Sequence, residues 1–157
     1  MEEKIHSFLV EWTANYLKSK DAIARKIERI EHGKDSFDLF VKYKDKEQYV
    51  LVCPVIIDFE SVIGKLKTDT HYLIVMLNSI QNLQVILKNW SKIVNFKFVS
   101  LVFVNPFSSE KKWILMPYTH HRICDESSLE LGLKSMFDLV GQVDERAFDG
   151  QISLKAD

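Results

Sequence analysis

The chain is poor in cysteine. Cys53 and Cys124 are its only two, far apart in the sequence and flanked by large apolar residues. Two such thiols build neither a small disulfide scaffold nor a four-cysteine zinc site. Both are expected to be reduced core thiols, which points to a cytoplasmic location. Net charge is also scarce. At −1, no global field draws in nucleic acid or an anionic membrane, so any such binding needs a local patch. The start, Met1-Glu2-Glu3-Lys4, has no apolar signal core. The longest apolar run, Tyr72 to Leu77, is far too short to span a bilayer, so no membrane partner is expected. Repeats and low-complexity segments are missing too. So are G-x-x-x-x-G-K-S/T and G-x-G-x-x-G, which argues against a glycine loop cradling phosphate. A G-x-S-x-G nucleophile elbow is likewise missing.

What remains is a globular pattern. With 157 residues, 46% apolar and 27% charged, the chain suits one domain with a real core. Ile5, Phe8, Leu9, Trp12 and Tyr16 recur at helical spacing behind Glu2 and Glu3. Ile23, Ile27 and Ile30 fit either a helix or a strand, and a strand over Lys26–His32 is favoured, leading to a turn at Gly33-Lys34-Asp35. Phe37 to Tyr43 alternates with period two. A polar hairpin tip follows at Lys44–Glu47, and then Tyr49 to Val55 has no polar face, as in a strand covered on both sides. Phe59 to Lys67 has room for a short helix. Tyr72–Leu77 and Phe98–Val104 are apolar strands on either side of a helix carrying Ile80, Leu83, Leu87, Trp90 and Val94. Asn78-Ser79-Ile80-Gln81 offers that helix a capping box. Strand, helix, strand implies a parallel crossover. Trp113–Met116 is a further strand. Leu129 to Val140 is a last helix, with Ser127-Ser128 as its cap and Gly141 to stop it.

The expected fold is mixed α/β. A central mixed sheet combines an antiparallel three-stranded meander with a parallel β-α-β crossover, with helices on both faces. Residues 1–141 form the single domain, and 142–157 form a polar tail expected to fray.

The order α-β-β-β-α-β over Ile5 to Val104 resembles the restriction-endonuclease-like fold, whose active members are the PD-(D/E)xK nucleases. That resemblance implies an acid near the start of the second strand and an acid-x-lysine on the third. Together they hold a divalent metal beside the scissile phosphate. Asp38 matches the first acid. On Tyr49–Ile56, the expected acid falls at Pro54 and the expected lysine at Ile56, so the rest of the signature is lost. Two explanations of Pro54 stand side by side. Either the strand bends at the catalytic position and Pro54-Val55-Ile56 fills the volume of a metal site, or it ends at Cys53 and Pro54 opens the next loop.

Other clusters have plain alternatives. Asp38 with Asp58 or Glu60, plus Lys65, would rebuild a magnesium site with relocated ligands; Lys67 shares the short helix with Lys65. Without such a role these residues form a solvated loop and helix face, the commoner fate of charged side chains. Thr119-His120-His121-Arg122-Ile123-Cys124-Asp125 is dense in polar groups. Read as an extended segment it points its histidines opposite ways, so a structural role is favoured and no metal site is expected there. Arg25, Lys26, Arg29 and Lys34, with Lys18 and Lys20, form the most basic region and could contact phosphates. Asp21, Glu28 and Glu31 dilute it to an ordinary salted surface. Lys111-Lys112-Trp113 is a second, shorter basic tip.

The sequence supports first a non-catalytic binding or assembly module on the nuclease-like scaffold. It would need no cofactor, and its partner would be another protein or a second copy. A metal-dependent nuclease acting on DNA or RNA is the alternative. The order helix, three strands, helix, two strands, helix also resembles the dimeric secretion chaperones, against which Tyr72–Leu77 fits better as a strand than as part of their short helix.

Overall fold

A computed structural model describes residues 2–149. The chain runs α1 (Glu2–Lys20), β1 (Ile27–Lys34), β2 (Phe37–Tyr43), β3 (Glu47–Val52), α2 (Phe59–Gly64), β4 (His71–Leu77), α3 (Ile80–Lys88), α4 (Trp90–Ile93), β5 (Val99–Val104), β6 (Lys112–Leu115), α5 (Pro117–Ile123) and α6 (Leu129–Val140). The six strands form one mixed sheet in the order in which they occur. β1–β2 and β2–β3 pair antiparallel, β3–β4 and β4–β5 parallel, and β5–β6 antiparallel. The mixed α/β architecture expected from the sequence is therefore present, with two parallel crossovers rather than one.

Period-two alternation divides the sheet into two apolar faces. Leu39, Val50, Val52, Leu73, Val75, Val102 and Val104 meet Ile5, Leu9, Ala14 and Leu17 of α1. Leu51, Ile74, Met76, Leu101 and Phe103 meet the other helices through Phe59, Leu83, Ile86, Trp90, Leu133 and Phe137. Parallel crossovers keep one hand. In a sheet that always advances in the same direction, that rule puts α2 and α3 on a common face.

Local chemistry moved several boundaries. The first hairpin turns at Asp35-Ser36 rather than Gly33–Asp35. Both residues have positive φ, 53° and 66°, as a two-residue turn matching strand twist requires. Ser79 caps α3 by accepting from the Asn82 backbone N–H, 3.2 Å away. The capping box expected between Asn78 and Gln81 is not made, because the Asn78 side chain is used elsewhere, bonded to Phe137, Gly141 and Trp113. The helix expected to run on to Val94 breaks at Asn89, whose side-chain amide donates to the Val85 carbonyl (2.8 Å) and competes with the helical ladder. Ser128 precedes α6 but makes no side-chain cap. Gly141, at φ 85°, ends that helix as expected.

Two expectations are corrected. Thr119–Ile123 is not extended but lies in α5, which Pro117 opens at a first-turn position that suits proline. The tail expected to fray from Gln142 supplies two core side chains, Val143 and Phe148. Phe148 packs edge-on against Phe8 and Phe107, with ring centroids 5.3 and 4.9 Å apart. Residues 150–157, the rest of that tail, lie outside the described residues.

Candidate functional site

β2 and β3 separate at the end where β2 begins. Their pairing stops at Leu39 and Val50. Beyond it, Val52 donates its backbone N–H to Asp38 Oδ2 at 2.7 Å, so a carboxylate stands in for a strand carbonyl. The other oxygen, Oδ1, lies 2.7 Å from His6 Nε2 on α1. Asp38 thereby ties the first helix to the end of the third strand.

Pro54 follows from the same geometry. β3 ends at Val52, one residue earlier than the simpler sequence explanation placed it. Contact with β4 continues through two loop hydrogen bonds, Cys53 N–H to the Val75 carbonyl (2.8 Å) and Leu77 N–H to the Pro54 carbonyl (3.1 Å). Proline lacks only a donor, and its acceptor is the group in use. Asn82, fully buried, fixes the loop. It accepts from Ile56 N–H (2.9 Å) and donates to the Pro54 (2.8 Å) and Leu77 (2.9 Å) carbonyls.

The gap between the strands opens into a cavity of about 420 Å³ lined by His6, Asp38, Cys53, Val55, Asp58 and Lys65. A second cavity of about 600 Å³ shares His6, Val55 and Ile57 with it and adds Glu2, Glu3 and Glu145. The two form one cleft. Pro54-Val55-Ile56 does not plug it: Ile56 is buried in the core beneath α2 and α3, Pro54 lines the second cavity, and Val55 lies on the floor between the two. Ile57 stands 87% exposed beside it.

Of the four residues singled out for catalysis, Asp38, Asp58 and Lys65 line the same cavity. Asp58 is also the N-cap of α2, accepting from Ser61 N–H at 3.3 Å. Glu60 does not join them. It forms an ion pair with Lys92 of α4. Among the described residues, no three His, Cys, Asp or Glu side chains stand close enough together to hold a metal ion.

The basic residues do not converge on the cleft. Arg29 and Lys34 flank Glu31, each 3.6 Å from its carboxylate, and both lie over the Phe40 ring. Arg25 and Lys26 are exposed at the opposite end of β1. The two histidines of α5 also part company. His120 Nδ1 lies 3.8 Å from Cys124 Sγ and its ring meets Trp90 edge-on, whereas His121 lines a separate surface cavity.

His6 was not singled out by the sequence. It lies beside the apolar stripe of α1, and its partner is 32 residues away, beyond the reach of any local pattern. Cys124 is a correction too, since it is exposed rather than a core thiol. Cys53 is half-buried, and burial pushes its thiol above the ordinary range. Asp38 adds to that shift, and Lys65 opposes it. The thiolate is the nucleophile. Alkylation at neutral pH should therefore modify Cys124 at least about tenfold faster than Cys53, which peptide mapping by mass spectrometry will resolve. Equal rates would contradict the environment described for Cys53.

No family model matches the chain, and neither a curated protein nor a solved structure matches it. No helix among the described residues is long and apolar enough to cross a membrane. Tyr72–Leu77 lies in strand β4, the arrangement that counted against a secretion-chaperone-like reading.

Proposed function

We propose that this chain is a non-catalytic binding or assembly module on a restriction-endonuclease-like scaffold. One observation carries the reading: both carboxylate oxygens of Asp38 are already engaged, one by His6 and one by the Val52 N–H. In the resembled nucleases the corresponding acid serves the metal, whereas here it joins a helix to a strand. Cys53 and Val55, lining the cavity beside it, bring no carboxylate and no lysine. The cleft also favours a particular kind of partner. Glu2, Glu3, Glu145 and Asp58 surround the apolar Val55 and Ile57, with Lys65 the only lysine or arginine among them. That charge repels phosphate and suits a protein segment with a positive side chain beside an apolar one.

The test is incubation with DNA or RNA and magnesium or manganese, with an Asp38→Ala variant in parallel. No cleavage is expected from either protein. Asp38→Ala should instead lower stability by about 2 kcal/mol, because it leaves the Val52 N–H without its partner. Cleavage by the natural chain that vanishes in the variant would refute the reading.

A second reading, a metal-dependent nuclease, is favoured by the shared cavity of Asp38, Asp58 and Lys65. There the two aspartates would hold magnesium and Lys65 would orient the attacking water. It requires Asp38 to release His6 and makes no use of Glu60.

A further inference from the structure

We infer that the outward face of α6 is a two-fold interface that pairs the chain with a second copy of itself, the two helices running antiparallel and crossing at Ser135. This surface is separate from the cleft, whose lining includes no α6 residue.

α6 is apolar on both sides. Leu133, Phe137 and Val140 enter the core, yet Leu131 and Leu139 are 74% and 63% exposed, and Met136 is partly exposed as well. Beside the exposed Lys134 and Asp138, these three side chains make an apolar patch of the kind that marks an interaction surface. At about 100° per residue, Leu131 and Leu139 stand about 40° to either side of Ser135, directly opposite the core-facing side chains. They form a ridge of the i, i+4, i+8 kind through which helices interlock.

The pattern around Ser135 complements itself, and that identifies the occupant as a second copy. A two-fold axis through an antiparallel pair sets each flank of one helix against the same flank of the other, with the order of residues reversed about Ser135. Leu131 then meets Leu139 of the other copy, and Leu139 meets Leu131. On one flank Met136 comes beside Gly132, about 3 Å off level along the axis, and a side-chain atom built at Gly132 would meet nothing within 4 Å, so the space there is open to a neighbouring side chain. On the other flank Lys134 comes within reach of Asp138, about 3 Å off level along the axis. Among the described residues, neither forms an ion pair within its own chain. Small side chains at Gly132 and Ser135 let the helix axes approach to about 8 Å, the near end of helix packing distances. A partner of unrelated surface would have to reproduce this arrangement of ridge and charge, whereas a second copy already carries it.

Sedimentation velocity on the full chain at about 100 μM, ample for a micromolar interface, should give twice the 18.3 kDa protomer mass. Leu131→Asp should weaken the dimer at least about 100-fold, because it buries an unpaired charge at the centre of the contact. Lys134→Glu alone should weaken it about fivefold, and the double reversal Lys134→Glu with Asp138→Lys should restore it. In a Cys124→Ser background, Ser135→Cys should form an intermolecular disulfide on mild oxidation, whereas Glu130→Cys should not. All of these positions are exposed, so the variants should keep the unfolding midpoint of the natural chain when compared at a dilution where it is monomeric. A monomeric natural chain at that concentration would overturn the inference. So would a dimer that ignores Leu131→Asp and fails to cross-link at position 135.

Discussion

Asn82→Ala is expected to cost about 4 kcal/mol, or roughly 10 °C in unfolding midpoint for a domain of this size. The amide makes three hydrogen bonds at a fully buried position: from Ile56 N–H, and to the Pro54 and Leu77 carbonyls. Alanine leaves the Ile56 N–H in the core without a partner, at about 2 kcal/mol, and costs about 1 kcal/mol for each bond lost at the Pro54 and Leu77 carbonyls, which keep the Leu77 and Ser79 N–H groups as donors. Asn82→Asp is a sharper probe. It keeps the acceptor for Ile56 but sets a carboxylate oxygen against two carbonyls, so it should be at least as damaging despite its near-identical shape. Chemical denaturation of the three proteins decides the matter. A loss below about 1 kcal/mol in both variants would show that the loop holds without the amide. The same loop carries Val55 and Ile57, so the substitution should also alter binding in the cleft.

Phe148→Ala should cost about 4 kcal/mol, the usual toll of removing a fully buried phenyl ring. Its ring is 0% exposed and wedged between Phe8 of α1 and Phe107 of the β5–β6 loop. A chain stopped after Gly141 loses this ring and Val143 together, and should fare worse still. Thermal unfolding of both variants gives the answer. If truncation at Gly141 left the midpoint unchanged, the packing of Phe148 against α1 would be wrong.

The sheet was legible because its signal is local. Alternation over Phe37–Tyr43 and unbroken apolarity over Tyr72–Leu77 and Phe98–Val104 each report burial directly, residue by residue. Asp38 was legible for a related reason, as an acid at the start of a strand just past a turn. Its partner was not, since His6 meets it only through the packing of α1 across the sheet. α5 was missed because Thr119–Asp125 has no apolar stripe; the one available sign was Pro117 at its start. The buried asparagines are the least legible. Asn78, Asn82 and Asn105 stand next to turn and cap residues in the sequence and look like surface punctuation. In the fold their amides join segments far apart in the chain, and nothing in a short window distinguishes the two roles. Residues 142–149 were misjudged likewise, because two isolated apolar residues in a polar stretch carry no periodicity.

A sheet whose strands lie in reading order can be laid down one neighbour at a time as a polypeptide leaves the ribosome, each new strand finding its template already in place. Asn78 sets the limit of that scheme. Its amide donates to the carbonyls of Phe137 and Gly141 and its oxygen receives the Trp113 indole N–H. Those partners are synthesised long after it, so a nascent chain ending before Gly141 harbours an unmet polar group at its centre. Completion of the domain is therefore expected to be a late, single closing event, with chains stalled short of it more open to chaperones and proteases than the finished protein.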